Sequence, residues 1–232
     1  MKETSKTNRH RSPEFFDAYL SGRVIDIGCG DDLVVPWAEP FDKAEGDAGA
    51  ILSFRPPETY DCVYSSHCLE HMENVPDALG QWWKLVKPGG YMIIIVPDED
   101  LYEQGNYPSL FNQDRKATFR YVEDISWSPK SYHLPALVMR LPNAEIVQYE
   151  RQDNGYDHSL TRRAVGKWGR LVHRLACYQR FVFHKIRIAS PGLQNRLDRI
   201  YFSLGAPLDQ TRWNALAQLA IIAKKASQTS RE

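Results

Sequence analysis

The chain has 232 residues, and 43% of them are hydrophobic, which suffices for one sizeable core with a small insertion beside it. No apolar run approaches the ~20 residues of a membrane span, and residues 1–11 carry no hydrophobic signal core, so we expect a cytoplasmic protein. Four cysteines without a Cys-x-x-Cys pair disfavour a disulfide scaffold and a cysteine zinc site. The formal net charge is zero, but residues 159–200 hold ten lysines and arginines against one acid, Asp198.

Local signals predict the first elements in chain order. Residues 1–11 lack apolar periodicity and are expected to be disordered. Ser12-Pro13-Glu14 combines a cap, a first-turn proline and an early acid, which predicts a helix that Gly22 can end. The β-branched run Val24–Ile27 and the segment Tyr60–Tyr64 are typical of strands, and we expect a helix after each.

The middle of the chain gives the clearest periodicity. Residues 77–87 form one apolar helical face that Pro88-Gly89-Gly90 terminates, and the apolar run Tyr91–Val96 is typical of a strand buried on both faces. This succession predicts a doubly wound α/β sheet. Residues 98–120 are long, aromatic and irregular, as in a functional loop, and a further helix is expected from Ser128.

The last third predicts a helical insertion followed by a strand. We expect a strand at Glu145–Tyr149, a basic helical insertion over residues 158–205, and a last antiparallel strand at Leu216–Ala223. The predicted organisation is therefore one domain over residues 12–225, with a polar tail at 226–232.

A glycine turn follows the first strand. In Asp26-Ile27-Gly28-Cys29-Gly30-Asp31, glycines allow a sharp backbone turn and the close approach of a ligand. A tight strand-to-helix turn without a ligand stays an alternative, because so short a motif is weak. Asp42 falls where the second strand should end, where a carboxylate can accept hydrogen bonds from ribose hydroxyls, although Glu45 is close enough to compete. Gly46-Asp47-Ala48 follows.

The strongest motif is the block Tyr60–His71 followed, after the helix, by Pro88-Gly89-Gly90. Together with the glycine turn, it resembles the "FDvVyssHvLEHl … LkPGG" segment of class I S-adenosylmethionine-dependent methyltransferases. The resemblance implies a Rossmann-like, mainly parallel seven-stranded sheet with helices on both faces. It implies S-adenosylmethionine as cofactor, bound by residues in the motifs: Asp26, Gly28, Cys29, Gly30, Asp42, Asp47, Ala48 and Ser65. A nicotinamide-binding protein is disfavoured, because its fingerprint needs glycine where Leu33 stands.

Three residues of the block are candidates for catalysis. His67 ends a strand beside the expected transfer point and can accept the proton of a hydroxyl acceptor; packing on the cofactor is the alternative. Glu70 and His71 stand three and four residues after it, on one face if the segment is helical. This spacing resembles the Glu-x-x-Glu-His metal motif of certain methyltransferases, but the same residues can simply anchor a helix, so no metal ligand is assigned.

The segment after Pro97 is predicted to contact the acceptor through Asp98, Tyr102 and Asn112. Its pattern resembles that of bacterial methyltransferases associated with surface-polysaccharide biosynthesis, which implies a sugar or other small hydroxyl acceptor. The same aromatic residues could instead close the cofactor pocket. A cofactor-binding module without turnover and an RNA 2′-O-methyltransferase are the alternative functions.

The basic segment at residues 159–200 admits three interpretations. The first is that the segment forms solvated helices whose basic side chains pair with acidic residues elsewhere in the chain. A docking face for an anionic membrane or a lipid-linked glycan at the inner membrane surface comes second. Nucleic acid is disfavoured, because no recognisable binding module accompanies the charge.

Overall fold

A computed structural model describes residues 2–109, 112, 114–161, 165–186, 190–206 and 209–227. The strands of this part are β1 (Val24–Ile27), β2 (Glu39–Phe41), β3 (Tyr60–Ser66), β4 (Val86–Pro97), β5 (Thr118–Arg120), β6 (Ser131–His133), β7 (Ala144–Gln152) and β8 (Gln218–Lys225). The α-helices are α1 (Glu3–Asn8), α2 (Pro13–Tyr19), α3 (Val75–Leu85), α4 (Leu134–Val138), α5 (Lys167–Lys185) and α6 (Pro191–Ser203).

The central sheet has six strands in the order β2-β1-β3-β4-β8-β7. The first four are parallel, and β8 runs antiparallel to both of its neighbours. This confirms the mainly parallel α/β fold and the antiparallel last strand. The expected number of seven strands is wrong for the described residues: the short connection from β2 to β3 forms a 3₁₀ segment (Ala48–Ser53), and β5 pairs with β6 in a separate sheet.

Side chains alternate between the two faces of the sheet, as the pleat requires. On β4, Met92 and Ile94 join the apolar cluster beneath α3 and α4, whereas Ile93 and Ile95 join the cluster beneath α2. Helix α3 covers two residues fewer at its C-terminal end than predicted, and its buried face includes Trp82 and Trp83. The predicted helices on both faces of the sheet are therefore confirmed.

Three local expectations are wrong. Residues 2–11 are not disordered throughout, since α1 forms and buries Thr4, Lys6 and Thr7. No helix follows β1, because residues 28–38 form turns. The helix expected from Ser128 begins only at Leu134, after β6. Order at the N-terminus comes from tertiary contacts, for example from the Lys6 ammonium to the Thr211 carbonyl at 3.0 Å.

The basic segment forms α5 and α6 between β7 and β8, which agrees with a helical insertion before the last strand. Its Arg162, Arg163 and Arg187 lie outside the described residues, as do residues 228–232 of the tail. Within the described residues, no helix has the length and apolar character needed to cross a membrane.

Candidate functional site

Gly28 begins the turn at the carboxyl end of β1. Its φ of +77° is left-handed, and a Cβ atom there would stand 2.4 Å from the Cβ atom of Cys68. Its amide donates to the Phe41 carbonyl at 2.7 Å. The turn is thus packed against β2 and against the segment after β3, and no side chain fits at this position.

Asp26 supports this turn from within the fold. Its side chain is 1% exposed, and Oδ2 accepts the Val34 amide at 2.7 Å, which holds the irregular segment that replaces the expected helix. Oδ1 is buried and accepts no hydrogen bond from the described residues. Burial, assisted by the charges of Asp32 and Asp42, raises the pKa of Asp26 to about 7.

Asp42 follows β2, where the sequence placed it. Its Oδ2 accepts the Gly30 amide at 2.7 Å, so this carboxylate joins the end of β2 to the glycine turn. Glu45 does not replace it: the Glu45 carboxylate accepts the Asp42 amide at 2.8 Å and so fixes the Asp42 backbone. Asp47 caps the 3₁₀ segment by accepting the Gly49 amide at 2.8 Å.

A cavity of about 540 Å³ opens beside this turn, and we call it the turn cavity. Four of the eight predicted cofactor residues line it, namely Gly28, Asp42, Asp47 and Ala48. The other four do not. Asp26 belongs to β1, and Cys29 and Gly30 belong to the glycine turn. The Ser65 hydroxyl donates to the Ile27 carbonyl at 3.0 Å, which joins β1 to β3. The cavity lies at the carboxyl ends of parallel strands, where α/β proteins bind ligands, and its volume suits a nucleoside.

His67 directly follows β3 and adopts a left-handed φ of +56°. Its Nε2 lies 3.0 Å from Oε1 of Gln218, the first residue of β8. The Gln218 amide donates to Thr7 Oγ1 at 2.9 Å and to Gln152 Oε1 at 2.7 Å. Because both contacts take amide hydrogens, the oxygen of Gln218 faces His67, and Nε2 carries the proton of the neutral imidazole.

The other ring nitrogen of His67 faces Glu70. Nδ1 lies 3.5 Å from Oε1 of Glu70, whose carboxylate is 1% exposed and lies 3.8 Å from the Arg115 guanidinium. Burial opposes the charged imidazolium, but the neighbouring negative carboxylate of Glu70 outweighs it and raises the pKa of His67. Burial likewise opposes ionisation of Glu70, yet His67 and Arg115 hold its pKa below the usual value.

The expected helix through His67, Glu70 and His71 does not form. His67 has a left-handed φ, which is incompatible with a helix that runs through it, and a 3₁₀ turn forms at Leu69–His71 instead. Glu70 nevertheless lies between the two histidines, with His71 Nε2 at 4.0 Å. Among the residues that the structure describes, no three His, Cys, Asp or Glu side chains are grouped as a metal site would require. The metal alternative therefore gains no support from the geometry.

A second cavity of about 270 Å³, which we call the charged cavity, shares His67, His71 and Asn112 with the turn cavity. Of the residues predicted to contact the acceptor, Tyr102 and Asn112 line it. Asp98 does not: its buried carboxylate pairs with Arg151 at 2.6 Å and caps the π-helical turn Glu99–Glu103. The prediction for Asp98 is thus not supported, because that carboxylate holds the loop in shape.

Several charged residues of this cavity were not found from the sequence: Glu3, Arg115, Asp209 and Arg212. Arg115 is 7% exposed, lies 3.7 Å above the Tyr102 ring and pairs with Glu103. Only tertiary structure brings these residues together, and no spacing in the sequence could have indicated them. A larger cavity of about 620 Å³ lies near Trp127 and Arg151, and none of the predicted site residues lines it.

Comparison with known proteins adds to this geometry. A family model described as a methyltransferase domain matches residues 5–168, which is more than half of the chain. No curated protein matches the sequence significantly. A methyltransferase from Archaeoglobus fulgidus has a TM-score of 0.49 at 16% identity, with 97% of this chain and 95% of that chain covered.

Two further solved structures are similar to the chain at lower scores. One is a possible histamine N-methyltransferase from Thermotoga maritima, with a TM-score of 0.46, 12% identity and coverage of 97% and 88%. The other is a putative sarcosine dimethylglycine methyltransferase from Galdieria sulphuraria, with a TM-score of 0.45, 12% identity and 83% of this chain covered. The chain spans only 61% of the length of that protein. By the family match, the chain belongs to the methyltransferase domain family.

Proposed function

We propose that the protein methylates a hydroxyl group of a sugar or other small acceptor in the biosynthesis of a surface glycan. The observation that carries this proposal is the position of His67. Its side chain lines both the turn cavity and the charged cavity, and its Nδ1 lies beside the buried carboxylate of Glu70. A base that lines both cavities can remove the proton, as methylation of a neutral hydroxyl requires.

The turn cavity fits the cofactor. Asp42, Asp47 and Ala48 line it, and carboxylates there suit the hydroxyls and the amine of a nucleoside. Asp26 does not line this cavity, but its carboxylate stands two residues before Gly28, and its negative charge favours the cationic amino group of the cofactor's amino-acid moiety without direct contact. When bound, S-adenosylmethionine supplies an electrophilic methyl group on a sulfonium that is already a good leaving group.

The residues of the chain then have two tasks. The two cavities hold donor and acceptor in line, which accounts for much of the rate in a displacement of this type. His67 Nδ1 takes the hydroxyl proton while Nε2–H stays bonded to Gln218, and Glu70 stabilises the imidazolium that forms. The 3.5 Å from Nδ1 to Glu70 exceeds a normal hydrogen bond, so the nitrogen is available to the acceptor.

The lining of the charged cavity supports a polyhydroxyl acceptor. Arg115 and Arg212 donate hydrogen bonds, Asp209 accepts them, and Asn112 does both, so hydroxyls of either orientation can be satisfied. Tyr102 adds an aromatic ring, one face of which Arg115 covers. The resemblance of the loop after Pro97 to glycan-pathway methyltransferases points to the same class of acceptor.

The test is a transfer assay with labelled cofactor over five acceptor classes: nucleotide sugars, lipid-linked sugars, free monosaccharides, small amines and a short RNA. We expect transfer to a sugar hydroxyl. His67→Ala should lower kcat by roughly 10² to 10⁴, the usual contribution of a general base, with little change in cofactor affinity by calorimetry. The exposed His10 provides the control variant His10→Ala, which should keep full activity.

Three outcomes would overturn the proposal. Transfer to amines or RNA alone would reassign the acceptor. Cofactor binding without transfer to any class would indicate a binding module without turnover. An unchanged kcat in His67→Ala would remove the assigned base.

A further inference from the structure

Helix α5 carries a row of exposed apolar side chains. Trp168, Leu171, Leu175 and Tyr178 are 64%, 50%, 54% and 67% exposed. Their spacing of three, four and three residues places them on one face of the helix. Phe181, also largely exposed, extends the apolar surface toward the end of the helix. So much aromatic and aliphatic surface in contact with water marks an interaction site.

This row is not the face by which α5 joins the protein. Val172 and Ala176 are buried against Ala206 and the side chains of α6. At Gly169 a Cβ atom would stand 2.7 Å from the Gly205 carbonyl oxygen, so this side of the helix is closely packed. The inner face is therefore already satisfied, and the outer row is left for a partner outside the described residues.

The exposed charge of both helices has one sign. Lys167, Arg170, Arg174 and Lys185 are exposed on α5, and Arg196 and Arg199 are exposed on α6. Asp198 is the single acid in either helix. It is buried, and its two carboxylate oxygens pair with Arg180 and Arg212, each at 2.7 Å. No carboxylate of α5 or α6 remains to neutralise the surface cations.

Helix α6 repeats the arrangement on a smaller scale. Leu193 and Ile200 share one face of this helix and are 43% and 53% exposed, and Leu204, which directly follows the helix, is 44% exposed. Each helix thus combines exposed apolar side chains with neighbouring cations.

We propose that α5 and α6 dock on the surface of a membrane rich in anionic lipid. An amphipathic helix with tryptophan and leucine on one face and lysine and arginine beside it is suited to the boundary between headgroups and acyl chains. Anionic headgroups complement the cations, while the apolar row enters the acyl region. A symmetric second copy fits less well, because a self-complementary interface would bring the same cations together. Nucleic acid would leave the apolar row exposed.

The docking surface is connected to the charged cavity. Asp198 of α6 holds Arg212, which lines that cavity. On α5, Nε2 of the buried His173 lies 3.4 Å from Asn106, just beyond the π-helical turn that carries Tyr102. Two contacts thus join the docking surface to elements that line or flank the charged cavity, which suits an acceptor carried on a lipid.

Flotation of the full chain with vesicles tests the proposal without any assay of methyl transfer. We expect binding to vesicles of phosphatidylglycerol and phosphatidylcholine, little binding to phosphatidylcholine alone, and weaker binding at high salt. The double variant Trp168→Ser/Leu175→Ser should bind roughly tenfold more weakly or worse, because it removes two apolar insertions. Arg174→Gln should cost about fivefold, as expected for one cation at an anionic surface.

Matched controls lie elsewhere on the surface. Ile125 is 96% exposed and Arg140 is exposed, so Ile125→Ser and Arg140→Gln remove the same kinds of side chain away from the helices and should bind as the unaltered chain does. Thermal unfolding should show that all variants remain folded. Absence of flotation with either vesicle, or equal flotation of the double variant and Ile125→Ser, would overturn the proposal. The proposal would also be overturned if the unaltered chain self-associates but binds no vesicles, and the double variant no longer self-associates.

Discussion

The Oε1 atom of Gln218 lies 3.0 Å from Nε2 of His67, although 151 residues separate the two along the chain. The carboxylate of Glu150 accepts the Gln152 amide at 2.6 Å, which turns the Gln152 oxygen toward the Gln218 amide. The Gln218 oxygen is left to face the imidazole. The antiparallel end of the sheet thus selects the tautomer of a histidine that stands at the end of a parallel strand.

The first prediction concerns this relay, by which we mean the hydrogen bonds that run from Glu150 through Gln152 and Gln218 to His67. Gln218→Leu removes the oxygen that accepts the hydrogen bond from Nε2–H of His67. The imidazole can then change tautomer, and Nδ1 is no longer always unprotonated and able to take the proton of the substrate hydroxyl. We expect kcat to fall roughly tenfold, as for loss of one buried hydrogen bond, while cofactor affinity is kept. Nitrogen NMR of the imidazole should show mixed tautomers. Asn195→Leu, at an exposed amide side chain of α6, is the control. A pure Nε2–H tautomer in Gln218→Leu would refute the relay.

The second prediction follows from the charge of Glu70, which raises the pKa of His67. A general base must be neutral, so the rate should increase with pH through this pKa. Glu70→Gln removes the negative charge that favours the imidazolium, and the pKa of His67 should fall. The acid limb of the kcat profile should therefore move to lower pH. Glu73→Gln, at an exposed acid of the same segment, should leave the profile in place, and a shift to higher pH in Glu70→Gln would contradict the assignment.

The third prediction concerns the glycine turn. Gly28→Ala combines a left-handed φ with a clash against Cys68, so we expect a loss of roughly 2–5 kcal/mol in the free energy of unfolding and much weaker cofactor binding. Gly30→Ala also has a positive φ but meets no atom within 4 Å, so its cost should be about 1–2 kcal/mol.

Urea denaturation of the double variant Gly28→Ala/Cys68→Gly isolates the clash. The sum of the losses in free energy of unfolding in the two single variants should exceed the loss in the double variant, because removal of the Cys68 side chain makes room for the new methyl group. Strict additivity would mean that the backbone conformation alone requires glycine.

Local patterns predicted the parts of the fold that local patterns determine. Apolar periodicity indicated β1, β3, α3 and β4, because each of these elements buries a continuous face or run of its own residues. The helix expected after β1 does not form because hydrogen bonds from outside the segment hold it as turns, among them those of the Val34 amide to Asp26 and of the Asn8 side-chain amide to the Val34 carbonyl. Periodicity carries no information about such a bond.

The candidate site divides in the same way. The sequence predicted cofactor contacts for residues that follow strand ends or belong to a turn. Three of these residues line the turn cavity: Gly28, Asp42 and Asp47. Gln218 and Arg115 reach the site through sheet pairing and loop packing, and polar contacts between distant segments leave no repeat in the sequence. The N-terminal helix is the clearest case. Its polar residues indicated disorder, yet Thr7 accepts a hydrogen bond from Gln218 at 2.9 Å.

The last prediction concerns Asp26, whose pKa rises to about 7 in the folded protein because the carboxylate is buried. Its pKa in the unfolded chain is about 3.9, so between about pH 4 and pH 7 the folded state binds more protons than the unfolded state. The Asp26 contribution therefore lowers the stability of the cofactor-free protein as pH rises through this window. Asp26→Asn removes that dependence, and an amide oxygen can still accept the Val34 amide.

Urea denaturation from about pH 5 to pH 8 should thus show Asp26→Asn gaining stability relative to the unaltered chain, by roughly 2–4 kcal/mol at the upper end. Asp31→Asn, at an exposed acid of the same turn, should show no such gain. A constant difference between Asp26→Asn and the unaltered chain at every pH would mean that Asp26 is ionised throughout. The variant should also bind the cofactor more weakly, because the carboxylate that costs stability at neutral pH is the one whose negative charge is proposed to favour the cofactor's amino group.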